Sequence, residues 1–280
     1  MSAWPSLVRR KNDPRETAIL WDVSVFFFVL GIPVLLVLAF LDDTVVNAEP
    51  RWLKPLKFFF SIALYNLTLE WLYRVFRTDR NVAWLNRCRR VIAVGMGIEG
   101  VLIVAQAARG VQSHFNVATS LDAAIFSIMG VTITIVVLTA LASGWLIWRA
   151  RDRAPAGFGE AALLGIVIMT AASFQGFAMT EGTARQEAEQ SPIQGSHFVG
   201  DPPVEGHRTL PVTGWSLDVG DLRIAHFIGL HALQLFLLLA FLLDRFAVPA
   251  RFAIIRLCAL GYGGLFLFAF LRAQSGAFLL

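Results

Sequence analysis

The stretch GDLRIAHFIGLHALQLFLLLAFLLD, Gly220 to Asp244, opens with charged residues and then carries no polar side chain between Gln234 and Asp244. A run this apolar reads as a helix crossing a bilayer, whose hydrocarbon core of roughly 30 Å takes about 20 residues. His226, His231 and Gln234 stand in it where leucine would be easier to insert. Polar groups in such a position are expensive and mark function by default. The same hydropathy pattern, followed outward, organises the whole chain.

The 280 residues are 56% hydrophobic and 16% charged, with a mean hydropathy of +0.64, which is a membrane composition rather than a soluble one. Seven apolar runs are long enough to span, at approximately 18–40, 54–75, 91–111, 122–148, 161–179, 222–243 and 252–271. The expected fold is therefore all-α: a polytopic bundle of seven transmembrane helices forming a single domain. The first run is too long for the core of a signal peptide and ends in Phe40-Leu41-Asp42-Asp43 without a small-residue cleavage pattern, so it reads as a retained anchor. Cys88 and Cys258, far apart and without CxxC spacing, suggest neither a disulfide framework nor a thiolate metal site.

Charge sets the expected orientation. Sixteen of the 24 Lys and Arg residues fall at the N-terminus and in the second, fourth and sixth connections. That excess places the N-terminus in the cytoplasm and the C-terminus outside. A formal charge of +4 invites nucleic acid as a partner, but the cations sit in short segments between apolar runs, where insertion accounts for them. Nucleic acid is excluded, and the lipid bilayer is the first partner. Only Lys11, Lys54 and Lys57 are lysines, a bias that fits a GC-rich bacterial genome and a plasma-membrane address. One connection is long: 180–221 carries Pro202, Pro203 and Pro211, several acids, and Phe198 and Trp215 as packing residues, and reads as a partly ordered lid on the outer face, with a flexible linker as the alternative.

All five histidines fall on the outer side or in the outer half of the bilayer under this topology. His114 follows the third run, before a Thr119-to-Asp122 capping pattern. His226 lies in the first turn of the sixth run, with Asp218 or Asp221 as its cap, and His231 is five residues deeper. Five residues turn a helix by about 140°, so His226 and His231 are not a ready-made zinc pair. His231 shares a face with Gln234, and Gln106 and Gln175 reach comparable depths on neighbouring runs, so these groups are expected to line a polar cavity. His114, His226 and His231 are the candidate ligands of a transition metal or of haem b, with Lys57 (or Lys54) neutralising a propionate or another anion. The plainer alternative is that the histidines are interfacial and the lysines snorkel to headgroups.

Glu99 is the deepest acid, and Asn66 of the antiparallel second run reaches a similar depth, so an Asn66–Glu99 hydrogen bond is expected, with proton relay or cation binding as the sharper reading. Glu70 and Arg74, four apart, are expected to pair. Gly95, Gly97 and Gly100, and Gly261, Gly263 and Gly264, look like surfaces for close helix approach. The seventh run lacks a lysine, which excludes a retinal Schiff base, and GxSxG, P-loop and GxGxxG motifs are absent.

Three functions follow as expectations. The first is a membrane oxidoreductase with an outward-facing histidine-lined cofactor or metal site, exchanging electrons through haem b with a quinol. The second is a transporter or sensor for a small polar or anionic solute, with Glu99, Gln106, Gln175 and His231 along the path. The third is an assembly or scaffold subunit of a membrane complex. The topology itself is open to test: a periplasmic reporter enzyme fused after Leu280 should be active and a fluorescent protein there dark, and the reverse pattern would invert the orientation.

Overall fold

The computed structural model describes residues 16–47, 49–155, 157–200, 206–211 and 213–278. The N-terminal cations Arg9, Arg10, Lys11 and Arg15, and Asp201, Pro202, Pro203 and Glu205 of the long connection, lie outside these residues. The chain divides between Ala154 and Pro155 into two compact units. Each packs its own helices.

In the first unit, α1 (Ile19–Leu41) leads through a two-residue hairpin, β1 (Val45–Val46) with β2 (Glu49–Pro50), into α2 (Leu53–Val75). Then come α3 (Val82–Ala108) and α4 (Ser120–Arg149). α3 lies along α4, and α2 packs against α1 and α3. In the second unit, α5 (Phe158–Gln175) runs on as a 3₁₀ turn (Gly176–Thr180), followed by the short α6 (Ala184–Ala188). A strand pair, β3 (Phe198–Val199) with β4 (Gly220–Asp221), precedes α7 (Leu222–Arg245) and α8 (Arg251–Gln274). α5 packs along both halves of α7, and α8 packs against α7.

Six of these helices, α1, α3, α4, α5 with its extension, α7 and α8, are long and apolar enough to cross a membrane. The protein is thus an all-α, multi-pass membrane protein. α2 has 23 residues, enough for the distance, but Lys54, Lys57, Glu70 and Arg74 take it out of the apolar class. The seven expected runs are all helices; six of the seven qualify as spans by composition. Helix α3 begins nine residues before its apolar run, because Arg87, Arg89 and Arg90 lengthen it at the polar end.

Two interruptions are handled locally. Pro33 has no amide hydrogen to donate one turn back, and α1 widens into a π turn over Phe27–Gly31 just before it. The Phe59 ring fills the space at Gly31, where a Cβ would come within 2.5 Å of it. Helix α7 breaks at His231, between Leu222–Leu230 and Ala232–Arg245. There the Tyr262 phenol of α8 donates to the Ile228 carbonyl at 2.6 Å, the carbonyl that a continuous helix would present to the Ala232 amide.

Small residues set how close α5 and α7 come. A Cβ on Gly165 would sit 2.7 Å from the Leu233 backbone, and one on Gly229 would collide with the Ala172 methyl. Gly95 and Gly100 likewise face side chains of α4, α1 and α2, as expected of a packing surface. Gly97, Gly261, Gly263 and Gly264 do not: apart from chain neighbours and the backbone of their own helix, no atom among the described residues would lie within 4 Å of a Cβ on any of them. Spacing alone cannot tell a glycine facing a neighbouring helix from one facing lipid.

The polar end of the first unit is held by charge. Arg89 is fully buried and donates through Nε to Glu70 Oε2 at 2.8 Å, while Arg74 donates to Glu70 Oε1 at 2.6 Å, the pairing expected from their spacing. Arg89 also reaches Asn86 at 3.2 Å and Glu16 at 3.4 Å, and Arg77 pairs with Glu16 at 2.6 Å. The guanidinium lies 5.3 Å from the centre of the Tyr73 ring. Taking one partner from a buried ion pair strands the other charge, at about 3 kcal/mol or more. Glu70→Leu should therefore lower unfolding stability in detergent by about 3 kcal/mol, and the double replacement Glu70→Leu with Arg89→Met should recover most of the loss.

Candidate functional site

The first unit gathers a basic and aromatic cluster where α2 and α4 begin and α3 ends. Lys54 Nζ lies 3.2 Å from His114 Nδ1, and Ser113 Oγ lies 3.0 Å from the same nitrogen. An ammonium can only donate, so Nδ1 accepts and the ring hydrogen is assigned to Nε2. Phe58, Phe115 and Phe126 surround the imidazole at 5.8, 6.1 and 6.3 Å between ring centres. The segment holding His114 is not helical, since α3 stops at Ala108, and Phe115 takes a left-handed φ of 66° to turn the chain toward α4.

Deeper in the same unit are the polar groups expected to pair. Glu99 on α3 is 5% exposed, and its Oε1 has no hydrogen-bond partner among the described residues. Asn66 on α2 is fully buried with neither amide atom partnered there. The expected Asn66–Glu99 bond is therefore not made. A similar depth counted along the sequence does not by itself bring two side chains within hydrogen-bonding distance.

Two expected cavity residues are committed elsewhere. Gln106 is fully buried and bonds through its amide to Asp122 Oδ1 at 3.0 Å and through its carbonyl oxygen to Arg109. Arg109 pairs with Asp122 at 2.7 Å, and Thr119 caps α4 by accepting from the Asp122 amide at 3.1 Å. This staple joins the end of α3 to the start of α4. Lys57 is held by Glu49 at 3.1 Å, whereas Lys54, its neighbour one turn back, is the lysine that meets a histidine. Asp42 accepts from the Trp52 indole at 2.8 Å and pairs with Arg51. The hydrogen bonds from Thr44 and Trp52, with Arg51 beside them, hold its carboxyl far below the usual range.

The second unit holds the other histidines. His226 on α7 points at α5, with Nδ1 2.8 Å from the Ala172 carbonyl oxygen. A carbonyl only accepts, so Nδ1 carries the hydrogen and Nε2 keeps its lone pair. Around α5 and α7, Gln175 (8% exposed) has neither amide atom partnered among the described residues, and the same holds for Thr170 Oγ1 and Gln234 Oε1. His231 sits at the helix break with its ring 4.3 Å from that of Phe227, itself half exposed.

The long connection folds back on the start of α7. Asp221 caps that helix by accepting from the Arg223 amide at 3.0 Å, and the Arg223 guanidinium grips both Asp221 oxygens and lies 5.2 Å from the Phe198 ring. His207 Nε2 meets Ser216 Oγ at 3.0 Å, the His197 carbonyl accepts from the Leu222 amide at 2.9 Å, and Trp215 packs on Phe227 at 5.4 Å. Arg208 bonds Asp218 through its amide and guanidinium, which depresses that carboxyl.

Of the candidate ligands, His114 belongs to the first unit and His226 and His231 to the second. Among the described residues no three His, Cys, Asp or Glu side chains gather into a metal-binding group. Thr170, Arg89 and Tyr262 are polar groups of consequence that sequence reading passed over. Arg89 looked like one more orienting cation, and nothing in the pattern sets Thr170 apart. No family profile, curated protein or solved structure matches the chain.

The two depressed carboxyls give a pH signature. Each binds its proton at higher pH in the unfolded chain, near 3.9, than in the folded one, so its contribution is complete at neutral pH and is lost as pH falls below that range. Asp42→Asn and Asp218→Asn should each lower the melting temperature at pH 7, with the difference from wild type closing only below about pH 4.

Proposed function

We propose that the first unit recognises a small anionic solute and that the protein is a transporter or sensor for it, with Glu99 exchanging a proton as the solute binds. The observation that carries this reading is that Glu99 Oε1 and both Asn66 amide atoms, inside an apolar bundle, have no hydrogen-bond partner among the described residues. Each buried polar atom left without a partner costs about 1–3 kcal/mol, so a fold keeps several only where something else meets them. Water or a solute carrying its own donors and acceptors fits that need.

Lys54 supplies the selectivity. Its ammonium is directed at His114 inside a ring of phenylalanines, where a cation in low dielectric attracts an anion more strongly than it would in water. On binding, an anionic carboxylate or phosphate would replace His114 as the acceptor for Lys54. The orientation expected from the distribution of arginines has this end of the unit outside, and with it the proposed order of events is capture from outside followed by protonation at Glu99.

The haem b or transition-metal reading draws support only from His226, whose Nδ1–H bonded to a carbonyl is the arrangement that orients a metal-bound imidazole. His114 argues the other way: its Nδ1 is occupied by Lys54 and Ser113, and its Nε2 carries hydrogen.

The test uses the purified full chain in liposomes loaded with a pH-sensitive dye, challenged with succinate, lactate or inorganic phosphate. One of these should acidify the lumen saturably or raise the melting temperature. Lys54→Ala should weaken that response by about tenfold, equivalent to about 1.4 kcal/mol. Glu99→Gln should abolish proton movement while leaving the melting temperature within a few degrees of wild type. A chain indifferent to all three anions, or a Glu99→Gln variant with full proton movement, would overturn the proposal.

A further inference from the structure

We infer that the second unit contains a separate binding site for a neutral, membrane-dissolved carbonyl compound of the quinone type, formed by His226 and Gln175 where α5 passes the first half of α7. The argument begins with charge. The buried polar atoms around these helices that have no partner among the described residues, those of the Gln175 amide, Thr170 Oγ1 and Gln234 Oε1, are all neutral. His226 offers a lone pair on Nε2, because Nδ1–H is spent on the Ala172 carbonyl. A set of neutral donors and acceptors in an apolar setting matches a ligand that is itself neutral. A charged one would leave its ionic charge uncompensated at high cost.

The backbone is built to hold the imidazole in place. Gly176, next to Gln175, lies against the ring, and a Cβ there would fall 3.0 Å from His226 Cε1 and 3.4 Å from Nδ1. Ala172 and Gly176 are one helical turn apart, so the ring lies along the last turn of α5, the turn that also carries Gln175. Gln175 is buried with both amide atoms unpartnered among the described residues, so its NH₂ group can donate to a carbonyl oxygen of the ligand. The Nε2 lone pair of His226 accepts from the hydroxyl of the corresponding quinol. This gives the site a preference: the quinol satisfies both groups, while the quinone satisfies only the glutamine.

A membrane origin for the ligand follows from the surroundings. Phe174 and Phe177 flank Gln175 and Gly176, stack on each other at 6.2 Å, and are 41% and 44% exposed. They form an apolar face beside the polar pair in a helix long and apolar enough to cross the membrane. A planar ring with an isoprenoid tail fits that combination of an aromatic margin and a two-point polar contact.

The test titrates ubiquinone-1 and its quinol into the detergent-solubilised full chain and follows quenching of tryptophan fluorescence. Saturable binding is expected, tighter for the quinol. Gln175→Leu should weaken both ligands about tenfold. His226→Phe should weaken the quinol and leave the quinone nearly unchanged, a split that a merely structural role would not produce. Gly176→Ala, which presses on the ring, should act in the same direction as His226→Phe, and it serves in its place if that variant misfolds. Lys54→Ala, in the first unit, should leave quinol binding intact, so failure of the anion reading and failure of this one are distinguishable. Absence of saturable binding, equal loss of quinone and quinol on His226→Phe, or a Soret band showing His226 bound to haem iron would overturn the inference.

Discussion

Hydrocarbon offers no hydrogen bonds, so each backbone or side-chain polar atom within a membrane helix must find its partner inside the protein. This constraint governs the interruptions in the long helices. Where Pro33 removes a donor, α1 widens its turn, and the Phe59 ring packs against Gly31. Where α7 breaks at His231, a phenol from α8 serves the Ile228 carbonyl. The break in α7 is thus secured by a side chain from a helix that packs on it, which couples the local geometry of α7 to the placement of α8.

The same demand explains how charge is tolerated. Arg89 is completely buried yet bonds to Glu70, Asn86 and Glu16, and Glu70 in turn holds Arg74. Asp122 gathers Thr119, Gln106 and Arg109 at the opposite end of α3. Helix α3 is pinned at both ends by such networks, and its middle, with Glu99, is left without one. Against that background the atoms of Asn66, Gln175 and Glu99 Oε1 stand apart: among the described residues the fold pairs charges near the helix ends and leaves these amides and one carboxyl oxygen without a hydrogen-bond partner in the interior. That contrast is what the functional proposals rest on.

Much of the fold was legible in the hydropathy pattern. Seven apolar runs became seven helices whose limits mostly agree to within a few residues, because a run of about 20 apolar residues has few other ways to satisfy its backbone. The capping of α4 by Thr119 and of α7 by Asp221, and the Glu70–Arg74 pair, were legible for the same reason, since their partners lie within one turn in sequence. The candidate site was legible only as a set of residue types. Gln106 and Gln175 are the same residue type near the same end of their apolar runs in the sequence, yet one is consumed by a staple and the other has no partner among the described residues. Lys54 and Lys57 are one turn apart, yet one meets His114 and the other Glu49.

By itself the sequence determined that this protein is helical, inserts in a membrane and keeps polar groups within it, because hydropathy and helix caps act over one or a few turns. Tertiary structure alone decided which of those groups are spent on holding helices together and which are not. A side chain's partner across a bundle depends on the rotation and the closeness of approach of two helices. Those are set by packing at residues such as Gly165 and Gly229, far in sequence from the histidines and amides whose surroundings they define.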